Sequence, residues 1–201
     1  KIAKKLKEAG CVSTFFSLES GSPEIILAMN KKVKPEYFGE QIRIFRKIGL
    51  PIYTSIVLGY PQETEETIKQ TFDLCFKNKI YPSIGFLLPL PGTGAYRNAI
   101  KSGHITDEDK YLTSITERQD IVLNLTQMSE ERLMEVTLDY AAKLSAELGL
   151  SLKDGTYIKT GGDKKRMKES TNSSVDFIMT EESKRIENDF TFNWARQTGR
   201  L

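Results

Sequence analysis

Ser55-Ile-Val-Leu-Gly59-Tyr-Pro61-Gln-Glu63-Thr64 is the stretch from which the rest of this chain is read. With the residues just before it, Tyr53, Ser55 and Val57 fall on one side and Ile52, Ile56 and Leu58 on the other, the period of two that marks a strand. Gly59 permits a backbone turn that a side chain would strain, and Pro61 fixes the next corner. Thr64 then caps a helix whose first turn carries Glu65 and Glu66, acids suited to the positive end of a helix dipole. Open α/β sheets and barrels bind ligands where a strand's carboxyl end opens into such a turn.

The flanking segments repeat the pattern. A strand is predicted over 12–18, with Ser13, Phe15 and Ser17 on one face and Glu19 continuing that face at its carboxyl end. Ser20-Gly21-Ser22-Pro23 follows, with Ser22 as cap and Pro23 opening a short helix to Met29. Pro35 begins a helix with a Phe38, Ile42, Phe45, Ile48 stripe, ended by Gly49 and Pro51. A helix over 65–78 leads to a third strand over 83–88, which runs into Pro89-Leu-Pro91-Gly92-Thr93-Gly94. Strands alternating with helices predict an α/β fold with parallel pairing. The expected division is an α/β unit over 1–104, a helical extension over 105–150 and an irregular or partly helical tail over 151–201. In the extension, Thr106 and Asp109 resemble a cap, and Ser129-Glu-Glu opens a long helix carrying Leu133, Tyr140, Leu144 and Leu148, stopped by Gly149.

Bulk composition is that of an ordinary globular protein: 201 residues, 39% hydrophobic, 28% charged and a formal net charge of +2. Ten Lys/Arg and eight Asp/Glu lie beyond residue 150, leaving nineteen of each before it, so nucleic acid is not an expected partner. The cluster Lys164-Lys165-Arg166-Met167-Lys168 reads as a solvated loop, and Thr191-Phe-Asn-Trp194 as a possible aromatic anchor. No apolar run reaches the roughly 20 residues of a membrane span, and a cytoplasmic setting is expected. Cys11 and Cys75 are far apart, and Cys75 shares a helical face with Ile68 and Phe72, which makes it a core residue. The lone His104 reads as a solvent-exposed turn residue. The opening Lys1–Gly10 looks like an amphipathic helix with Ile2, Leu6 and Ala9 on one face, and the chain is expected to be a piece of a longer one.

Parallel strands bring their carboxyl ends to one rim. That rim would gather Ser17, Glu19 and Ser20 from the first strand, Ser55, Val57 and Gly59 from the second, and Leu88 and Pro89 from the third. A carboxylate among hydroxyls suits a ribose diol, and free backbone groups suit a purine edge. Neither a nucleophile beside a base, nor a set of metal ligands, nor a P-loop is visible. The plainer reading makes Glu19 a cap and the Pro/Gly turns tight corners; recurrence at three consecutive strand ends favours a cofactor site.

These segments carry a resemblance. Ser17-Leu-Glu19-Ser20-Gly21-Ser22-Pro23-Glu24 with Met29-Asn30-Lys31, Gly59-Tyr-Pro61-Gln-Glu63-Thr64, and Pro89-Leu-Pro91-Gly92-Thr93 together resemble the second half of a radical S-adenosylmethionine (SAM) core. The branch most resembled is the cobalamin-binding, anaerobic magnesium-protoporphyrin ester cyclase-like Fe–S oxidoreductases. The resemblance implies a partial TIM-type (β/α)6 barrel of which this chain supplies strands 4–6. Ser17 and Glu19 would face the ribose or amino-acid part of S-adenosylmethionine, Val57 to Gly59 the adenine, and Leu87 to Pro89 would complete the adenine pocket, with Glu63 shaping the rim. Phe15, Tyr53 and Phe86 would face a sheltered interior. It also implies a [4Fe–4S] cluster on a CxxxCxxC loop, which this sequence lacks; the cluster is expected on an N-terminal half that would be this chain's partner, leaving this piece inactive alone. Cobalamin is a possible further cofactor, the substrate an unknown small molecule. The alternatives are a non-catalytic binding or scaffold half-barrel and a tRNA-modifying radical SAM relative.

Overall fold

The computed structural model describes residues 1–150, 152, 157 and 158. In chain order the elements are α1 (Ile2–Glu8), β1 (Thr14–Phe15), α2 (Pro23–Ala28), a 3-10 turn (Pro35–Tyr37), α3 (Phe38–Lys47), β2 (Ile52–Tyr53), β3 (Ser55–Leu58), α4 (Glu65–Lys77), β4 (Ser83–Phe86), α5 (Gly94–Lys101), α6 (Glu108–Ser114) and α7 (Glu130–Glu147). β1 pairs in parallel with β2, and β3 in parallel with β4. A parallel bridge from Glu19 to Ile56 continues the first pairing into β3. Three strand lines therefore run side by side, with residues 52–58 in the middle and hydrogen-bonded to both neighbours. The α/β class with parallel strands is as expected; no closed barrel forms among the described residues.

Each strand is shorter than its hydrophobic run, for a local reason. The first line is interrupted because the amides of Leu18 and Glu19 both donate to the carbonyl of Ser55, at 3.1 and 3.0 Å, the two-against-one arrangement of a bulge. Thr54 interrupts the middle line, its hydroxyl accepting from the amide of Leu18 at 3.1 Å while its carbonyl accepts from Ser83 at 2.8 Å. The third line ends at Phe86 rather than residue 88: Leu87 still donates to the carbonyl of Leu58, but Pro89 has no amide proton to continue the ladder.

The alternation of the middle line sets the core. Ile52, Ile56 and Leu58 join Ile84 and Phe86 against Phe38 and Ile42 of α3 and Ile68, Phe72 and Cys75 of α4. The register places Phe86 beside Leu58 and Ile84 beside Ile56, so Phe86 belongs to this helix-covered side and not to the interior-facing set expected for it. Phe15 does lie on the other side and is 58% exposed, while its neighbour Phe16 meets the Phe38 ring edge-on at 5.7 Å. Cys75 is fully buried, as its helical face predicts.

α7 lies along α4. Ser129 caps it, accepting from the amide of Arg132 at 3.2 Å, and Arg132 grips Glu65 of α4 through two bonds of 2.7 and 2.8 Å. Tyr140 stacks on Phe72 at 5.4 Å, and Gly149 closes the helix with a φ of +65° that favours glycine. Two expectations fail locally and that for Ser22 holds in position alone. α6 is capped by Asp107 and not Thr106, because the Asp107 carboxylate accepts from the amide of Lys110. Ser22 sits at the N-cap of α2 without a side-chain bond, its place taken by the pre-set φ of Pro23. In α1, Ile2 is 77% exposed and Ala3 is the buried residue, while Lys7 Nζ donates to the carbonyl of Ile48. Tyr157 and Ile158 dock on the core, with the Tyr81 hydroxyl donating to the Tyr157 carbonyl at 2.9 Å. The basic run 164–168 and the Thr191–Trp194 segment lie outside the described residues.

The loop after the first strand rests directly on α4: a Cβ on Gly21 would sit 2.5 Å from the Gln70 carbonyl oxygen and 2.6 Å from the Thr71 Cα. Both are backbone atoms of a helix interior and cannot swing aside. Gly21→Ala is expected to destabilise the chain by about 1–3 kcal/mol. Urea denaturation checks this against Gly39→Ala, whose Cβ would meet only the Asn78 side chain and whose cost should be smaller.

Candidate functional site

At the carboxyl ends of the strand lines the backbone turns three times. The first turn carries Glu19 with φ +65°, outside the region normal for a residue with a side chain. Its amide donates to Ser55 and its carbonyl accepts from Val57 at 2.8 Å, so the strained residue is held on both sides by the middle line. Such a conformation costs on the order of 1–2 kcal/mol and persists where the surroundings over-determine it, often at a ligand site. The Glu19 side chain is 15% exposed, and its Oε1 accepts from Lys31 Nζ at 2.8 Å. Lys31, three residues beyond α2, is thus brought to the rim.

Below Glu19, Ser17 and Ser55 meet hydroxyl to hydroxyl at 2.8 Å. Both stand on the side away from the helix-packed residues, the side of Phe15 and of half-buried Val57. Ser55 is in register with Ser83, whose hydroxyl accepts from Arg118 Nη2 at 2.9 Å. Arg118 lies over Gly85, where a Cβ would be 3.5 Å from its Nη1, and its carbonyl accepts from the Phe86 amide at 2.7 Å. This polar row across three strands ends in a guanidinium that sequence reasoning missed. Arg118 sits more than thirty residues beyond Ser83 in a segment with no periodicity, and only tertiary folding brings it back.

The second turn is built around a buried acid. Gly59, with φ +95°, donates its amide to Glu63 Oε2 at 3.2 Å, and Thr67 donates its hydroxyl to Glu63 Oε1 at 2.6 Å. Thr67 also closes a reciprocal cap with Thr64, as expected for that helix start. Glu63 is 1% exposed, and burial pushes its carboxyl up to about 7 despite these bonds. Tyr60 lies in the same field: burial first, then the charges of Glu19 and Glu63, raise its phenol.

The remaining predicted site residues are distributed unevenly. Ser20 is fully buried, bonded to Thr71 Oγ1 at 3.1 Å and to the amide of Ser22, so its hydroxyl serves the packing of the loop on α4 and does not open onto the rim. Leu88 is half-buried, and Pro89 is buried with its carbonyl accepting from the Tyr111 hydroxyl at 2.8 Å. Ser17, Glu19, Ser55 and Val57 share the middle line's end, with Gly59 in the adjoining turn. His104 is exposed and bonded to Ser102.

Among the described residues no group of three or more His, Cys, Asp or Glu could hold a metal ion. Both cysteines are taken up by local structure: Cys11 Sγ donates to the Ser13 carbonyl at 3.0 Å, and burial pushes the Cys75 thiol up to about 12. A three-thiolate cluster does not fit the residues of this chain.

Glu63 generates a prediction with a sign. A carboxyl raised from its usual range to about 7 binds a proton more tightly folded than unfolded, so stability should fall between about pH 4.5 and 7 and level off above. The full excursion is on the order of 3 kcal/mol. Thr67 can reverse its hydroxyl toward the Thr64 carbonyl, 2.9 Å away, so a neutral donor on Glu63 is accommodated. Glu63→Gln should therefore flatten the pH dependence and match or exceed the native chain at pH 8. Glu63→Ala, which leaves the Gly59 amide without its acceptor, should be less stable by roughly 1–3 kcal/mol. Thermal unfolding from pH 5 to 8 reads both.

Residues 1–75 match the family model described as the Radical SAM superfamily. The chain is 30% identical over 139 residues to an uncharacterized methyltransferase of Pyrococcus horikoshii, a match covering 68% of this chain and 29% of that protein. It is 32% identical over 140 residues to a tRNA-2-methylthio-N(6)-dimethylallyladenosine synthase of Rickettsia canadensis, covering 65% of this chain and 30% of that one. To a bacteriochlorophyllide d C-8(2)-methyltransferase of Chlorobaculum tepidum it is 34% identical over 109 residues, 53% of this chain and 24% of the other. The chain thus spans less than a third of the length of these relatives. No helix among the described residues is long and apolar enough to cross a membrane.

Proposed function

We propose that this chain, a radical SAM superfamily sequence over residues 1–75, supplies the S-adenosylmethionine-facing strands of an enzyme that begins its reaction by reductive cleavage of that cofactor. Superfamily membership implies use of S-adenosylmethionine and a [4Fe–4S] cluster. The three strand lines are read as strands 4–6 of a partial TIM-type barrel, with the side carrying Phe15, Tyr53 and Val57 as its interior. The three thiolates such a cluster needs are more than the two cysteines this chain has, and no step is derived through it.

The observation that carries the reading is the bulged Glu19 above the Ser17–Ser55 hydroxyl pair. Vicinal ribose hydroxyls are donors that want a charged acceptor. Glu19 offers one at the strand end, held in place by Lys31 and by two backbone bonds to the middle line. Val57 offers an apolar surface beside it for the adenine, and the Gly59 turn, latched by Glu63, fixes the height of the rim. When bound, S-adenosylmethionine supplies the 5′-deoxyadenosyl radical chemistry of this superfamily. These residues bind and orient it and keep water from its ribose. The substrate is proposed to be an organic small molecule, a reading supported by the bacteriochlorophyllide named for one of the relatives. Cobalamin remains part of the proposal only through the branch that the sequence resembles.

Isothermal titration of the full chain with S-adenosylmethionine tests the assignment. Glu19→Gln keeps the side-chain size and removes the charge, and is expected to weaken binding about tenfold to a hundredfold, the worth of a hydrogen bond to a charged group. Ser20→Ala should leave affinity unchanged, since that hydroxyl is committed to Thr71. Equal affinity of the native chain and Glu19→Gln would remove Glu19 from the cofactor site.

A further inference from the structure

At the pole opposite the rim, the C-terminal ends of α3 and α4 lie side by side. Between them runs an open groove of ≈ 670 Å³ lined by Gly39, Ile42, Arg43, Arg46, Lys47, Lys77, Asn78 and Lys79. Five of these side chains are cationic and none is acidic. The expectation against nucleic acid rested on near-neutral net charge, but the fold separates what the sequence mixes. Lys69 has taken Asp73 and Lys4 has taken Glu8, and among the described residues the acid paired at the groove is Glu40, 3.9 Å from Arg43.

Helix C-termini attract cations by themselves, and that effect accounts for some of the cluster. Each terminus carries the equivalent of about half a negative charge, so the pair offsets roughly one of the five. Crediting Glu40 with another leaves a surplus near three. Arg46 is partly desolvated there, which lowers its pKa, and it donates Nη2 to the Lys79 carbonyl at 2.8 Å, holding the two helix ends together. Lys79 itself sits at φ +47°, so the loop bends to keep its backbone in the groove wall.

We propose that this groove binds the phosphodiester backbone of a nucleic acid. An acidic protein is the rival ligand, and the lining disfavours it. Protein interfaces draw their affinity from aromatic and large apolar anchors seated in pockets. No aromatic side chain lines this groove, and Ile42, its one large apolar residue, is 1% exposed. Phosphates require only fixed cations, which the groove has, and the lack of stacking surfaces means binding without base preference. The inference is independent of the cofactor reading, because the groove lies at the other end of the strands and its test needs no S-adenosylmethionine.

The experiment is fluorescence anisotropy of the full chain with labelled tRNA, labelled duplex DNA and labelled polyglutamate across a salt series. Binding of tRNA or DNA that falls steeply with salt is expected, with the stronger of the two identifying the source of the backbone. Arg43→Gln with Lys47→Gln and Lys77→Gln leaves the Arg46 bridge intact. That variant should lose at least tenfold in affinity at 0.1 M salt and shallow the salt slope by about two to three, just under one for each of three phosphate contacts. Circular dichroism checks that it folds. Absence of nucleic-acid binding, equal binding of polyglutamate, or an unchanged triple variant each overturns the proposal.

Discussion

The carbonyl of Ser55 accepts two amide protons, from Leu18 and from Glu19, and the described structure depends on that doubled bond. One residue of slack is absorbed there. Without it Glu19 would continue the strand and its side chain would follow the alternation set by Thr14 and Phe15. With it, Glu19 turns into the left-handed region, its carbonyl still reaches Val57, and the following Ser20-Gly21 drops onto α4, closely enough that no Cβ fits at Gly21. Strand, rim and helix packing are thus fixed by a single carbonyl whose other neighbour, Thr54, hands its own carbonyl to Ser83.

Most of the fold was legible because its signals are local. The alternation of 52–58, the Thr64 cap and the Ser129 cap each reside within a few residues and each appears as read. The misreadings share a different cause. The resemblance puts Phe86 in the sheltered interior, but its side is set by register against Leu58, a partner nearly thirty residues away. Ser20 follows Glu19 and so reads as a rim hydroxyl, yet its side chain lies on the opposite side and bonds Thr71 of α4. Thr106 and Asp107 compete for one cap, and the carboxylate, a stronger acceptor for the exposed amide of Lys110, takes it. Helix α5 had its own signal, Thr93 before Tyr96, hidden by the surrounding Pro and Gly.

The site divides along the same line. Ser17, Glu19, Ser55 and Val57 converge because parallel strands end together, a rule that sequence periodicity can supply. Lys31, Arg118 and Tyr60 join them through loops, and no period reports where a loop returns. Glu63 was visible as a rim residue but not as a buried one, since one acid among Pro61, Gln62 and Thr64 looks like surface until the Gly59 turn closes over it.

The Ser17–Ser55 contact has a property that distances do not express. Either oxygen can be the donor, so two hydroxyls share one bond and keep a second proton free to point outward. Which of them points it depends on what arrives. A ligand presenting an acceptor near Ser17 turns the pair one way; a ligand presenting a donor turns it the other, and no heavy atom has to move. The pair is a two-position rotor, able to meet a hydroxyl in either sense, as a ribose rotated between two poses would require.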